Sequence, residues 1–141
     1  MENKRSKNSA GFIIFRKFGN EYKMLVLYKK NGNMDLPKGR NDRNDKNILG
    51  TAKRETLEEC GISINDKDII SKGKEFNNIT FFIAITSMDP FIIPNPSTGV
   101  IEHISAIWIN PFNAFIEAPN YLCSPIKWAI NHLKEFVSKR Q

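Results

Sequence analysis

Cysteine is almost missing from this sequence: Cys60 and Cys123 are the only two in 141 residues. They could form one bridge at most, and their spacing matches no zinc site. A reducing cytoplasmic compartment is therefore the simplest expectation. Long apolar runs are missing too. None reaches 18 residues, which excludes a membrane-spanning helix and leaves no membrane role. The apolar stretch Phe12-Ile13-Ile14-Phe15 is too short for a signal-peptide core and reads as a strand.

Hydrophobic residues make up 40% and charged residues 26%, which excludes a disordered or fibrous chain. The length suits one domain, expected over residues 9–141 behind a loose polar tail at 1–8. The net charge of +6 is unevenly placed. Residues 1–60 hold 14 Lys and Arg against 8 Asp and Glu, while residues 61–141 hold seven of each. A phosphate-rich small molecule, a nucleotide or RNA would suit that excess. A taste for Lys, Asn and Ile is the plainer explanation, and sixteen Asn and nineteen Ile keep it open.

Strands are expected over Gly11–Phe15 and Tyr22–Tyr28, joined in a hairpin by a turn at Phe18-Gly19-Asn20-Glu21. The segment from Asp35 to Asn47 reads as a polar loop with too little apolar content to build core. Residues 48–60 read as a helix, with Asn47 as N-cap, Gly61 as the left-handed residue after its end, and Ile48, Leu49, Ala52 and Thr56 as its inner face. Beyond it come a short extended piece at Ile62–Ile64, a turn at Asp66-Lys67-Asp68 and a strand start at Ile69-Ile70. Strands follow over Ile79–Thr86 and Ile104–Ile109, with an edge or loop segment at Phe91–Ile93 and a loop at 94–99 between them. A short helix is expected over Phe112–Glu117, and a last helix starting at Pro125. Strands, helix, strands, helix in that order imply a mixed sheet layered between helices, an α/β architecture.

The chemistry is concentrated in Arg54-Glu55-Thr56-Leu57-Glu58-Glu59. Glu55 is three residues from Glu58 and four from Glu59, so all three carboxylates fall in one sector of the helix. Either the face is simply solvated, or a cation neutralises it. Oxygen donors with no His or Cys near in sequence suit Mg²⁺ or Mn²⁺. Ahead of the helix, Leu36-Pro37-Lys38-Gly39 supplies a glycine where backbone can approach a cation and a lysine that can reach a phosphate.

Taken together, Gly39, five residues, Asp45, eight residues and Arg54-Glu55-Thr56-x-Glu58-Glu59-x-Gly61-Ile62 resemble the signature of the Nudix hydrolases, G-x5-E-x7-R-E-U-x-E-E-x-G-U with U bulky and apolar. The departures are Asp45 in place of Glu and one extra residue before Arg54, a spacing shared by some members that act on diphosphoinositol polyphosphates. The resemblance implies a Nudix fold, an α/β/α sandwich with a mixed sheet and a loop–helix–loop metal site. It implies Glu58 and Glu59 as chief metal ligands, Glu55 as a further ligand or hydrogen-bond partner of bound water, and the Gly39 carbonyl as another ligand. Arg54 is expected to hold a carboxylate by a salt bridge. Two or three Mg²⁺ ions, or Mn²⁺, would be bound.

Within that family, Ser9-Ala10-Gly11-Phe12-Ile13-Ile14-Phe15-Arg16, the Leu-Pro-Lys-Gly run and Glu102-His103-x-x-Ala106-x-Trp108 resemble the asymmetric diadenosine tetraphosphate (Ap4A) hydrolases. Met34 stands where they usually have Trp. This implies cleavage of dinucleoside polyphosphates to ATP and AMP, with Glu102 as a ligand or general base and Lys38, Arg40, Arg43 and Lys29 as phosphate-binding cations. Diphosphoinositol polyphosphates, RNA 5′ ends and a non-catalytic nucleotide- or RNA-binding module are the alternatives. A monomer or dimer is expected. Phe76, Phe82 and Tyr121 are base-stacking candidates, each better explained as core or rim. His103 and His132 are not expected to bind metal, His103 being read as pointing away from Glu102. Cys60, Trp108 and Trp128 are read as core.

Overall fold

The computed structural model describes residues 8–92, 94 and 98–140. Most of the tail at 1–8, the end of the Phe91–Ile93 segment and the centre of the 94–99 loop fall outside the described residues. Seven strands are described: β1 (Ser9–Phe18), β2 (Glu21–Lys29), β3 (Met34–Asp35), β4 (Lys38–Arg40), β5 (Lys74–Phe76), β6 (Ile79–Ile85) and β7 (His103–Ile109). The helices are α1 (Ile48–Cys60), α2 (Pro111–Glu117) and α3 (Asn120–Lys139). The sheet runs β3-β2-β1-β6-β5, with β4 also on β1 and β7 on β2. β1 and β6 pair in parallel and the other described pairs are antiparallel, so the sheet is mixed.

Strand alternation sorts the apolar residues into two layers. Ala10, Phe12 and Ile14 of β1, with Leu25 and Leu27 of β2, pack against Ala52 and Cys60 of α1. Ile13 and Phe15, with Met24 and Val26, face Leu122, Ile126, Ala129 and Leu133 of α3 and Ala114 of α2. This is the expected α/β/α sandwich. Cys60 is fully buried and Trp108 and Trp128 pack against the two layers.

α1 begins and ends where its caps dictate. The Asn47 side-chain oxygen accepts the Gly50 N–H at 2.8 Å, a cap that contributes about 1 kcal/mol. Gly61 sits at φ 74° and donates its N–H to the Leu57 carbonyl. The buried face is Thr51, Ala52, Thr56 and Cys60, with Ile48 and Leu49 only partly covered; Glu55 and Glu59 fall in the same sector, where α1 passes under β4, and Glu58 lies outside it.

Four expectations need correction. The segment 35–47 is not all loop: β3 and β4 lie at its start, and Met34 and Leu36 are core. Pro37 interrupts the pattern, and β4 exists only because β1 pairs with it, Gly11 opposite Lys38 and Ala10 opposite Gly39. β5 carries no alternating apolar signal and forms by pairing with β6 across Asn77-Asn78, both at positive φ (50° and 69°), a conformation asparagine tolerates. Ile69 makes a single bridge to Ala84 and starts no strand. α3 begins at Asn120, not Pro125. Leu122, fully buried, anchors the extra turn, and Pro125 sits inside the helix at the cost of one backbone bond.

Candidate active site

The starts of β1 and β4 and the edge of α1 that carries Glu55 and Glu59 meet at one end of the sheet. Gly39 lies directly over α1: a Cβ added there would sit 2.0 to 2.3 Å from the Glu55 carboxyl atoms, so any other residue would push that carboxyl out of its present position. Glu59 reaches back beneath the same segment and accepts the Lys38 N–H at 3.1 Å.

Arg54 organises the outer half of the site. Its Nε and Nη2 donate to the two Asp45 oxygens at 2.8 and 3.0 Å, and Nη2 also donates to the Arg40 carbonyl at 2.9 Å. Nη1 donates to Glu55 at 3.1 Å and to Glu58 at 3.3 and 3.4 Å. Hydrogen bonding to Asp45 raises the Arg54 pKa further above its ordinary value, and the fork holds Asp45 down at about 2. Asp45 also accepts from Thr51 Oγ1 and the Asp42 N–H, so its oxygens are occupied by the clamp. The shorter carboxylate and the longer loop thus meet Arg54 side-on and tie the loop to α1.

The carboxylates facing inward are less well compensated. Burial pushes Glu55 above its ordinary value, with Glu58 and Glu102 adding repulsion that Arg54 partly offsets. Burial drives Glu59 up to about 8, against the Lys38 N–H and with Glu55 and Asp35 adding to the rise. Oxygens of Glu59 and Glu102 and a ring nitrogen of His103 all lie within 4.8 Å of one another. Carboxylate oxygens whose charge Arg54 and Lys38 offset only in part at Glu55 and Glu59, with the Gly39 backbone pressed against Glu55, fit a divalent cation of the Mg²⁺ or Mn²⁺ kind.

His103 departs from expectation. β7 starts at His103, so Glu102 precedes the strand and alternation does not separate the two side chains. A bulge between Tyr28 and Lys29 sets His103 opposite Lys29. Its Nε2 lies 2.9 Å from Asp35 Oδ2, and both side chains are about 95% buried.

Asp35 is the centre the sequence reading passed over. It accepts from Lys38 Nζ at 2.8 Å, from the Leu36 N–H at 2.9 Å and from Tyr121 Oη at 3.3 Å. Burial opposes its charge, but His103 and Lys38 outweigh that and hold its carboxyl well below the usual range. Lys38 is raised in turn: burial disfavours its charge and the Asp35 carboxylate more than restores it. The only hint in sequence is an acid between Met34 and Leu36, three residues before a lysine.

Of the other cations, Arg40 is exposed at the end of β4, Arg43 is exposed on the loop after it, and Lys29 is half-buried beside His103. Among the stacking candidates, Phe82 is core against Phe12 and Phe76 packs on Trp128. Tyr121 is 41% exposed, with the Lys38 ammonium 5.5 Å from its ring centre. His132 donates to or accepts from no carboxylate in the described structure; its Nε2 meets the Ile70 carbonyl at 2.7 Å, far along α3.

No protein-family model matches the chain. No curated protein matches it either. Solved structures do. A Caenorhabditis elegans Ap4A hydrolase in a binary complex aligns with TM-score 0.66 and 20% identity, over 94% of this chain and 98% of that one. The Nudix domain of Shewanella oneidensis NrtR, solved with ADP ribose, aligns with TM-score 0.68 and 14% identity, over 96% and 90%. The Escherichia coli dihydroneopterin triphosphate pyrophosphohydrolase aligns with TM-score 0.65 and 15% identity, over 90% and 97%. The chain has the fold of the Nudix hydrolases. Among the described residues no helix is long and apolar enough to cross a membrane.

Proposed function

We propose that this protein is a Mg²⁺-dependent pyrophosphohydrolase, active also with Mn²⁺, that cleaves dinucleoside polyphosphates such as Ap4A to ATP and AMP. The observation that carries the reading is the α1 carboxylate set. Glu55 lies under Gly39, Glu59 accepts the neighbouring Lys38 N–H, and the helix cation that reaches Glu55 and Glu58, Arg54, is already shared with Asp45. Glu58, Glu59, Glu55, Glu102 and the Gly39 carbonyl are the groups that would hold the ions, two or three in number. When bound, the metal neutralises nonbridging phosphate oxygens, acidifies the attacking water and stabilises the leaving phosphate.

The chain's own residues do the rest. Arg54 fixes the rotamers of Glu55 and Glu58 and pins the loop through the Arg40 carbonyl. Glu102, beside Glu59 and His103, is the candidate either for a further ligand or for the base that accepts the proton of the attacking water. Lys38 presents a fixed ammonium beside the site, and Arg40, Arg43 and Lys29 add positive charge for the polyphosphate. Tyr121, exposed next to Lys38, offers a ring face for a base, which favours a nucleoside over an inositol substrate. The similarity to an Ap4A hydrolase points the same way.

One observation favours a second reading. Arg40 at the end of β4 and Arg43 and Lys46 on the loop after it, which Arg54 ties to the site, are all exposed, and a densely phosphorylated inositol would use them. The deciding experiment is a substrate panel with Mg²⁺: Ap4A, diphosphoinositol pentakisphosphate and 5′-capped RNA. Ap4A with the highest kcat/KM, yielding ATP and AMP, is expected. A clear preference for the inositol or the capped RNA moves the assignment there, and no turnover of any phosphoanhydride removes the enzyme reading.

A further inference from the structure

The Asp35–His103 pair has the form of a histidine prepared for a metal. An ionised carboxylate only accepts hydrogen bonds, so the proton between Asp35 Oδ2 and His103 Nε2 sits on the ring nitrogen. In the neutral ring that leaves Nδ1 with its lone pair. Metal-bound histidines characteristically give their second nitrogen to a carboxylate in this way, which fixes both tautomer and ring orientation. Asp35 is itself held by Lys38, the Leu36 N–H and Tyr121, so it cannot easily turn away. The pair is buried, with His103 only 4% exposed, yet a ring nitrogen lies within 4.8 Å of oxygens from both Glu59 and Glu102. Ligands at about 2.1 Å from an octahedral ion stand about 3.0 Å apart when cis and about 4.2 Å when trans. Closing this cluster on one ion therefore needs shifts of about 1 Å or less.

We propose that His103 is a nitrogen ligand to one divalent ion shared with Glu59 and Glu102, oriented by Asp35, and that this makes that one position, among the two or three proposed, favour Mn²⁺-like ions over Mg²⁺. The inference rests on the metal-dependent reading above and extends it to a ligand of a different kind. Imidazole is a poor partner for Mg²⁺, which demands oxygen and keeps its waters, but a good one for first-row transition ions. A purely carboxylate site would show no such bias beyond the ordinary order of affinities.

The test is pulsed electron paramagnetic resonance of the full chain loaded with Mn²⁺ alone, with no substrate and no turnover. A directly bound imidazole imprints ¹⁴N modulation on the Mn²⁺ echo. That pattern is expected in the wild type, should change to the ¹⁵N pattern on ¹⁵N-histidine labelling, and should survive His132→Gln. It should vanish in His103→Gln while Mn²⁺ remains bound through the carboxylates. Mn²⁺ affinity should fall ~10-fold or more in His103→Gln and in Asp35→Asn, with Mg²⁺ affinity changed less than ~3-fold. The labelling arm needs no substitution, so a folding defect in a variant does not blunt it. Mn²⁺ bound without nitrogen modulation in the wild type overturns the proposal and leaves the carboxylate site standing. No Mn²⁺ or Mg²⁺ binding at all overturns the metal-dependent reading itself.

Discussion

Two groups of acids lie a few ångströms apart at the same end of the sheet and are driven in opposite directions. Asp35 is buried with cations and donors on every oxygen: Lys38, His103, Tyr121 and a backbone N–H. Its carboxyl is held below the usual range. Glu59 is also largely buried, but it faces Glu55, Glu102 and Asp35 with only the Lys38 N–H and the field of a Lys38 ammonium already paired to Asp35 in compensation, and it rises to about 8. Burial alone does not decide ionisation; the balance of partners does. A complete internal charge balance marks a structural and positioning element. An incomplete one marks a place where charge must come from outside, and here the missing charge is positive.

The largest expected effect falls on the incomplete side. Glu58→Gln and Glu59→Gln should each lower kcat by ~100-fold or more at saturating Mg²⁺, about 2.7 kcal/mol of transition-state stabilisation. Circular dichroism should show both folded, and in metal-free buffer Glu59→Gln should melt no lower than wild type, because an uncompensated acid has been removed. Turnover close to wild type in both variants would remove the α1 carboxylates from the chemistry.

On the balanced side the same chemical change should do the reverse. Asp35→Asn strands the Lys38 ammonium, whose side chain is 16% exposed, and should cost about 2 kcal/mol of stability by urea titration. A smaller loss than that of Glu59→Gln would erase the contrast between the two groups.

The pH dependence of the metal-free protein sharpens it further. Glu59 is raised in the folded state from 4.5 to about 8, so the folded chain binds the extra proton between those values. Stability from this group is therefore fully present at acid pH and is lost as pH rises from about 4.5 to about 8. Tm measured in chelator across that window should fall by a few degrees, and the slope should flatten in Glu59→Gln and on adding Mg²⁺. A Tm that rises with pH in chelator contradicts the placement of Glu59.

The smallest effect concerns the exposed loop. Neutralising Arg40, Arg43 and Lys46 together should reduce diphosphoinositol hydrolysis ~10-fold more than Ap4A hydrolysis, about 1.4 kcal/mol of differential binding. Equal losses at two salt concentrations would reduce the loop to a general positive field.

How much of this the sequence reveals follows from the range of the interactions. α1 is legible because its determinants are local: Asn47, Gly61 and glutamates at three- and four-residue spacings. The two core layers follow from alternation in β1 and β2. β4 and β5 are illegible because each is three residues long and is made by its partner strand. Asp35 and His103 are 68 residues apart, and only the packing of β3 and β7 on either edge of β2 joins them. The Pro125 reading failed for a related reason: a buried Leu122 outweighed the usual position of proline at a helix start.

The most direct test of the central claim is calorimetric titration of the metal-free protein with Mg²⁺ near pH 7, repeated in two buffers of different ionisation enthalpy. Glu59 carries its proton there, so ion binding must displace it. The account predicts saturable binding, a proton released to buffer, and loss of both in the Glu58→Gln, Glu59→Gln double variant. Binding that is absent, or that persists unchanged in the double variant, would contradict it.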